Sequence, residues 1–317
     1  MALGASALIP FASFGQQQVK VWRIGYLDPR SSSTSSEYYA GFVRGMSQLG
    51  YADGISVVIE RRFADGNLER LQQLASELAR MKVDVIVTDS TPAVRAAMKA
   101  TATIPIVVAA VSDPVAAGLV KSLAHPAGNV TGLSNLAEEL DGKRMQIIVE
   151  IVPKISSIAL MASPEMSDSR VAMFQAAAAK LGRSMIVARV GNAADIDSAF
   201  SLMRQKRAGA LVIYQNAFLS SHAANIAELA LRQRIPTIGG RRQIADAGCM
   251  LSYGVDYVDM FKRAATYVDK IFKGANPGDI PIEQATRFEL VINMKTAKAL
   301  GLKIPQSILV QATKVIE

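Results

Sequence analysis

Val83-Asp84-Val85-Ile86-Val87 runs straight into Thr88-Asp89-Ser90-Thr91-Pro92, an apolar stretch that stops at a polar loop closed by proline. A near-continuous apolar run of this length predicts a strand covered by helices on both faces. Just upstream, Leu68, Leu71, Leu74, Ala75 and Leu78 share one face of a helix, while Glu69, Arg70, Glu77 and Arg80 take the other. Before that helix lie the strands Ser56 to Ile59 and Ile24 to Leu27, separated by a helix ending at Leu49-Gly50. After the loop, a short helix leads to Thr103-Ile104-Pro105-Ile106-Val107. The series then repeats. Ile158 to Met161, a helix to Leu181-Gly182, Met185 to Ala188, a helix to Lys206, Ala208 to Tyr214 and Arg234 to Ile238 reproduce it in order. Strands alternating with helices imply parallel sheets and right-handed crossovers, so the chain is read as an α/β protein of two Rossmann-like lobes with a cleft between them.

The lobes are not simply consecutive. Gly128 to Leu133, Cys249 to Val255 and Phe288 to Ile292 are short strands suited to crossing between them, giving three hinge crossings. A helix from Val258 to Phe272 would return to the first lobe. The expected division is 19–132 with 255–285 in lobe 1, and 133–254 with 286–317 in lobe 2. Gly50, Gly182, Gly209 and Gly301 are expected in left-handed positions after helices.

A length of 317 residues suits two domains, each with its own core. Half of the residues are hydrophobic and a fifth are charged, the balance of a folded globular protein. The formal charge of +8 is scattered, without a basic arm or interleaved aromatics, so nucleic acid is not an expected partner. Such a surplus goes with a solvated surface, or with weak attraction to anionic ligands and membrane faces. The lone Cys249 excludes an internal disulfide, and its apolar neighbours make it a core residue. His125 and His222 have no partners nearby for a triad or a metal. No metal or cofactor is expected, and no nucleophile, base and oxyanion donors assemble, so the chain is not read as an enzyme.

Residues 1–15 carry no charged side chain and are too short to span a membrane. Ser13 and Gly15 occupy the −3 and −1 positions of a secretory cleavage site, although the basic leading segment of such signals is missing. Residues 1–18 are therefore set apart as a signal-like segment, and an exported chain is expected.

In open parallel sheets, ligands bind beyond the carboxyl ends of the strands. Ser90 and Thr91 stand at one such end, with Thr91 expected as N-cap and Pro92 at the first helical position. Their hydroxyls and the free backbone N–H groups could hold a carboxylate. Ser112 and Asp113 follow the strand Ile106 to Ala110, where Asp113 could accept a ligand amine or cap a helix from Val115. In lobe 2, Ser163 and Glu165 take the place that Asp28 holds in lobe 1. Tyr214, Gln215 and Asn216 end another strand, bringing a stacking face and amide groups. Gly239-Gly240-Arg241-Arg242 offers a tight turn and paired arginines, of which Arg241 is the expected carboxylate ligand. Asp256 lies just past a hinge, at the cleft mouth. Gly41 to Gly45 falls inside a helix and is not read as a phosphate loop, and Glu138 with Glu139 is read as a solvated face.

The stretch Val111 to Val120, then Pro126 to Leu133, and the tail Phe288-Glu289-Leu290-Val291-Ile292-Asn293 through Ile304-Pro305 resemble a known family. It is the periplasmic substrate-binding proteins of ABC transporters, of the tryptophan/tyrosine-type or unassigned-substrate group. The resemblance covers about residues 20–317 and implies a type I periplasmic binding-protein fold. It supports Ser90, Thr91, Ser112 and Asp113 as first-lobe contacts. Where this chain has Tyr214-Gln215-Asn216, the family often has an acidic segment suited to an α-amino group. That difference points toward a carboxylate without an amine. The implied function is capture of a small organic ligand, an amino acid or an aromatic or aliphatic carboxylate, and its delivery to an ABC permease at the inner membrane. A ligand-sensing effector module of a regulatory system shares the fold, but no DNA-binding helix pair precedes Val21.

Overall fold

The computed structural model describes residues 20–135 and 137–317. The signal-like segment at 1–18 and the side chains of Glu138 and Glu139 lie outside the described residues. The chain begins with β1 (Trp22–Asp28), α1 (Ser36–Gln48), β2 (Val57–Phe63) and α2 (Leu68–Arg80). It continues with β3 (Val85–Thr88), α3 (Thr91–Ala100), β4 (Ile106–Val111) and β5 (Val130–Ser134). Next come α4 (Ala137–Ile151), β6 (Ser157–Ala162), α5 (Asp168–Lys180), β7 (Ser184–Arg189) and α6 (Ala193–Gln205). They are followed by β8 (Ala210–Ile213), α7 (Ala217–Ser221), α8 (Ala223–Arg232), β9 (Thr237–Gly239), α9 (Arg242–Asp246) and β10 (Leu251–Val255). The last elements are α10 (Tyr257–Phe272), β11 (Glu283–Gln284), β12 (Phe288–Asn293), α11 (Met294–Leu300), α12 (Gln306–Leu309) and β13 (Lys314–Ile316).

These strands form two sheets, ordered β2-β1-β3-β4-β5-β11 and β7-β6-β8-β9-β10-β12-β13. The first five strands of each follow one order, so the sequence repeat is a repeat of topology. All pairs are parallel except β10 with β12, where Gly254 lies opposite Glu289. The chain passes between sheets three times: after β5, between β10 and α10, and between β11 and β12. β5 carries the first sheet to Ser134, and β10 carries the second to Val255. The three crossings therefore use only the few residues beyond these strand ends.

Both faces of each sheet are covered, which is why β3, β4, β6 and β8 are buried along their whole length. In the first lobe, α1 and α10 pack on one face around Tyr26, Phe42 and Phe261, and α2 and α3 cover the other with Leu71, Leu78 and Val94. Helices α4, α5 and α11 and helices α6 and α8 do the same for the second sheet. Among the described residues, no helix is long and apolar enough to cross a membrane.

Gly41 and Gly45 explain how α1 sits so close to α10. A Cβ at Gly45 would stand 2.3 Å from the Lys262 carbonyl oxygen and 2.8 Å from Ala265 Cβ. Gly45→Ala is expected to cost about 1–3 kcal/mol in chemical denaturation, because the helices must move apart. Gly142 of α4, with nothing within 4 Å of an added Cβ, is the control. There the same change should stabilise by up to about 1 kcal/mol through helix propensity. Equal effects at the two sites would refute the close-packing account.

Candidate functional site

The strand order reverses between β1 and β3 and again between β6 and β8, the switch points where a crevice opens at the carboxyl ends. Asp28-Pro29-Arg30 and Asp89-Ser90 close the first switch point, and Ser163-Pro164-Glu165 and Tyr214-Gln215 the second. The amino ends of α1, α4 and α10 add Tyr38, Asp141, Arg144 and Tyr257 to the same region.

On the first-lobe side, Arg30 binds two carboxylates. Its Nη1 and Nη2 reach Asp89 Oδ2 and Oδ1 at 2.7 and 3.2 Å, and Nη2 also reaches Asp28 Oδ2 at 2.9 Å. Asp28 accepts further hydrogen bonds from the Arg30 backbone N–H and the Ser35 hydroxyl. Burial, and then the Asp89 charge beside it, pushes the Asp28 carboxyl above its ordinary value against the pull of Arg30. Two acids thus share one guanidinium, which also lies 4.8 Å from the centre of the Tyr38 ring.

On the second-lobe side, Arg241 has a different environment. Its Nη1 donates to the Tyr38 hydroxyl at 3.1 Å, and its guanidinium lies 4.3 Å over the Tyr257 ring. Among the described residues no carboxylate pairs with it within 4.0 Å. The charged groups it senses beyond the two tyrosines are Arg30 and Asp89. The Tyr257 hydroxyl in turn accepts from Gln215 Nε2 and from Asn135 Nδ2. Behind this layer, Asp141 pairs with both Arg144 and Arg170, and Arg144 Nε donates to the Tyr253 carbonyl at 2.7 Å. Arg170 stacks on Phe174, which meets Tyr214 edge-on at 6.4 Å.

The glycines of this loop serve close approach. Gly239 and Gly240 are not left-handed, contrary to the tight turn expected from their sequence. A Cβ at Gly240 would meet Gln215 Oε1 at 2.6 Å and Arg144 Nη2 at 2.8 Å, so glycine lets both side chains reach the strand end.

Ser90 carries the strongest local signal. It adopts φ 68°, a left-handed conformation that serine rarely takes, and its buried Oγ has no hydrogen-bond partner among the described residues. Backbone strain and an unsatisfied hydroxyl at a strand end are features that gather at ligand sites. The cap assignment shifts accordingly: Ser90 is the N-cap of α3, and Thr91 and Pro92 are its first residues. Pro92 fits either of the first two helical positions, so the sequence rule misplaced the cap by one residue.

Other candidates are occupied by structure. Asp113 Oδ1 accepts the backbone N–H groups of Val115 and Ala116, capping a turn instead of the expected helix, while Ser112 and Asp113 stay exposed. Asn216 caps α7 through Leu219 N–H at 2.7 Å, and Asp256 caps α10 through Asp259 N–H at 2.9 Å. Ser163 is buried, and Glu165 is exposed. Cys249 is fully buried, and burial pushes its thiol up to about 12. Arg30, Tyr38, Asp89, Asn135, Asp141, Arg144 and Tyr257 were not singled out from sequence. Apart from the i,i+3 pair of Asp141 and Arg144, most of their partners are distant in sequence, up to 205 positions for Tyr38 with Gln243, so no local pattern marks them.

Tyr38 and its neighbour also join the lobes. Arg242 Nη2 reaches both oxygens of Glu37 at 2.7 and 2.8 Å, and Gln243 Nε2 donates to the Tyr38 hydroxyl at 2.9 Å. Glu289 of β12 lies beside this contact and lines a small gap with Glu37, Tyr38, Arg242 and Tyr257. Burial, and then the Asp256 charge, pushes its carboxyl from 4.5 up to about 7, with Arg242 pulling the other way. A raised carboxyl pKa destabilises the fold when ionised, so stability falls as pH rises from about 4.5 through about 7. Glu289→Gln is expected to flatten that decline, leaving the variant the more stable in thermal melts at about pH 8 and not at about pH 4. A constant offset across the range would refute it.

Residues 27–316 match the sequence profile of the ABC transporter substrate binding protein family. A tyrosine-binding protein of Clostridioides difficile (strain R20291) is 29% identical over 265 residues, which is 83% of this chain and 76% of that protein. A Vibrio cholerae structure described as a conserved domain protein superposes with a TM-score of 0.84 at 30% identity, covering 93% of this chain and 100% of that one. A Streptococcus pneumonia domain in complex with L-Trp gives a TM-score of 0.84 at 28% identity, covering 94% and 100%. The ligand-free, open structure of a Clostridium difficile substrate binding protein gives 0.75 at 26% identity, covering 93% and 99%.

Proposed function

Because the chain belongs to the ABC transporter substrate binding protein family, we propose that it is the extracytoplasmic, periplasmic solute-binding component of an importer. In this reading its two lobes close on a small organic ligand bearing a carboxylate, and the loaded form delivers that ligand to the permease. It acts as a monomer and carries out no chemistry on the ligand. The observation that carries the ligand class is Arg241, a guanidinium at the lobe junction held by a phenol and a ring, with no carboxylate partner among the described residues. A ligand carboxylate would complete it with charge-assisted hydrogen bonds.

The charges around it favour an amino acid over the amine-free carboxylate expected from sequence. Asp28 and Asp89 against Arg30 leave one negative charge in excess on the first lobe, opposite the positive Arg241 on the second. An α-amino group and an α-carboxylate match that pair. The missing acid at 214–216 is thus offset by acids from the other lobe. Ser90, with its unpartnered hydroxyl, Thr91, Tyr214 and Gln215 are the proposed neighbours of the ligand. Closer likeness to the L-Trp complex than to the open, ligand-free structure supports a closed arrangement of lobes here.

Calorimetry with L-Trp, L-Tyr, their amides, and the matching aromatic propionates tests this. Binding of an amino acid, with the amide rejected, is the expected pattern. Equal binding of acid and amide would remove Arg241 from the account.

A further inference from the structure

The edge of the second sheet opposite the cleft is strongly basic. The connections entering its adjacent strands β6, β7, β8 and β9 are 152–156, 181–183, 206–209 and 233–236. They carry Lys154, Arg183, Lys206, Arg207 and Arg234 and not one Asp or Glu. Parallel pairing puts all four on one edge. Backbone hydrogen bonds tie them together, from Ser184 to Ser156 and from Gly209 to Ser157, both at 3.0 Å. Lys180 and Arg204, near the ends of α5 and α6, widen the patch. None of these seven residues makes an ion pair among the described residues, and all but Arg183 are exposed. Glu150 marks the rim, where it accepts from Ser307.

Helix carboxyl ends attract basic side chains, and helices end at this edge. That preference acts on the first lobe too, yet the lobes differ. The matching first-lobe connections, 20–21, 49–56, 81–84 and 101–105, hold Lys20 and Lys82 against Asp53 and Asp84, and Lys20 pairs with Asp84 at 2.9 Å. The helix dipole therefore does not account for the second-lobe surplus.

We propose that this basic edge is a docking surface for an anionic phospholipid bilayer. It contains no aromatic residue to stack on a base, and offers diffuse charge suited to a plane of phosphodiesters. Membership of a transporter family places the protein beside a membrane. Docking by this edge leaves the cleft at the far ends of the same strands accessible.

The test is co-sedimentation of the full chain with vesicles of phosphatidylcholine alone or with one-third phosphatidylglycerol, at low and high salt. Partition onto the anionic vesicles only, weakened about tenfold by high salt, is expected. Combined Lys154→Gln, Lys180→Gln, Arg204→Gln and Lys206→Gln should abolish it with ligand affinity unchanged. The control removes equal charge from lobe 1, with Arg80→Gln, Lys82→Gln, Lys99→Gln and Lys121→Gln, and should leave most of the adsorption intact. Equal loss in both variants would assign the effect to net charge and overturn the proposal. So would absence of adsorption by the unaltered protein, or binding of a DNA duplex in its place.

Discussion

Arg241→Ala should weaken binding of the proposed amino-acid ligand by about 2 kcal/mol or more, a factor of roughly 30 upward in calorimetry. The size follows from what is removed: a desolvated guanidinium whose remaining donors have no acceptor among the described residues. Arg241→Lys keeps the charge but loses the fork, so it should recover only part of the affinity. Tyr38→Phe removes an acceptor that Arg241 shares with Gln243, and its effect should be smaller than either. If Arg241→Ala binds as well as the unaltered protein, the ligand carboxylate lies elsewhere in the cleft. Retained thermal stability of the variant would show that the loss is one of binding.

Arg30→Met should have the largest effect on stability. It leaves Asp28 and Asp89, 1% and 3% exposed, without their shared cation. Breaking a buried pair from one side costs about 3–5 kcal/mol, because the partner charge stays behind. The sign with pH is fixed by the carboxyls. Without Arg30 the raised folded pKa of Asp28 rises further, so the variant's deficit is small where that carboxyl is protonated and grows as pH increases. Chemical denaturation near pH 4 and near pH 8 checks this. A deficit equal at both would mean that Arg30 acts through packing on Tyr38 and Phe261 instead. Adding Asp89→Asn to Arg30→Met should restore part of the loss at the higher pH.

The scaffold was legible because each of its decisions is local. Val85 to Val87 is apolar without interruption because helices cover both faces, and the same cause acts at Ile158 to Ala162 of β6 and along β8. The repeated strand order followed from recurrence of those runs. Ambiguity arose where one residue type serves two ends. Asn216 and Asp256 have side chains suited equally to a ligand and to a helix N-terminus, and here they cap helices. Gly209 was expected to be left-handed, but Arg207 takes that conformation at φ 54°, and Gly209 is small because Ile155 lies against it. The long-range ion pairs were not legible at all. Asp89 meets Arg30 across 59 positions, and Glu37 meets Arg242 across 205, distances at which no spacing rule operates.

Glu37 and Tyr38 stand consecutively on α1, and Arg241, Arg242 and Gln243 stand consecutively across from them. Every atom of that clasp belongs to the protein. If the lobes open and close as proposed, their separation would break it whatever the cleft contains, so it would contribute to the barrier for opening as well as to the balance between open and shut. Residence time is then partly a property of the container. A poorly fitting guest would be held longer than its own contacts warrant, and the clasp, more than the guest, would pace the return of the empty protein to its next capture.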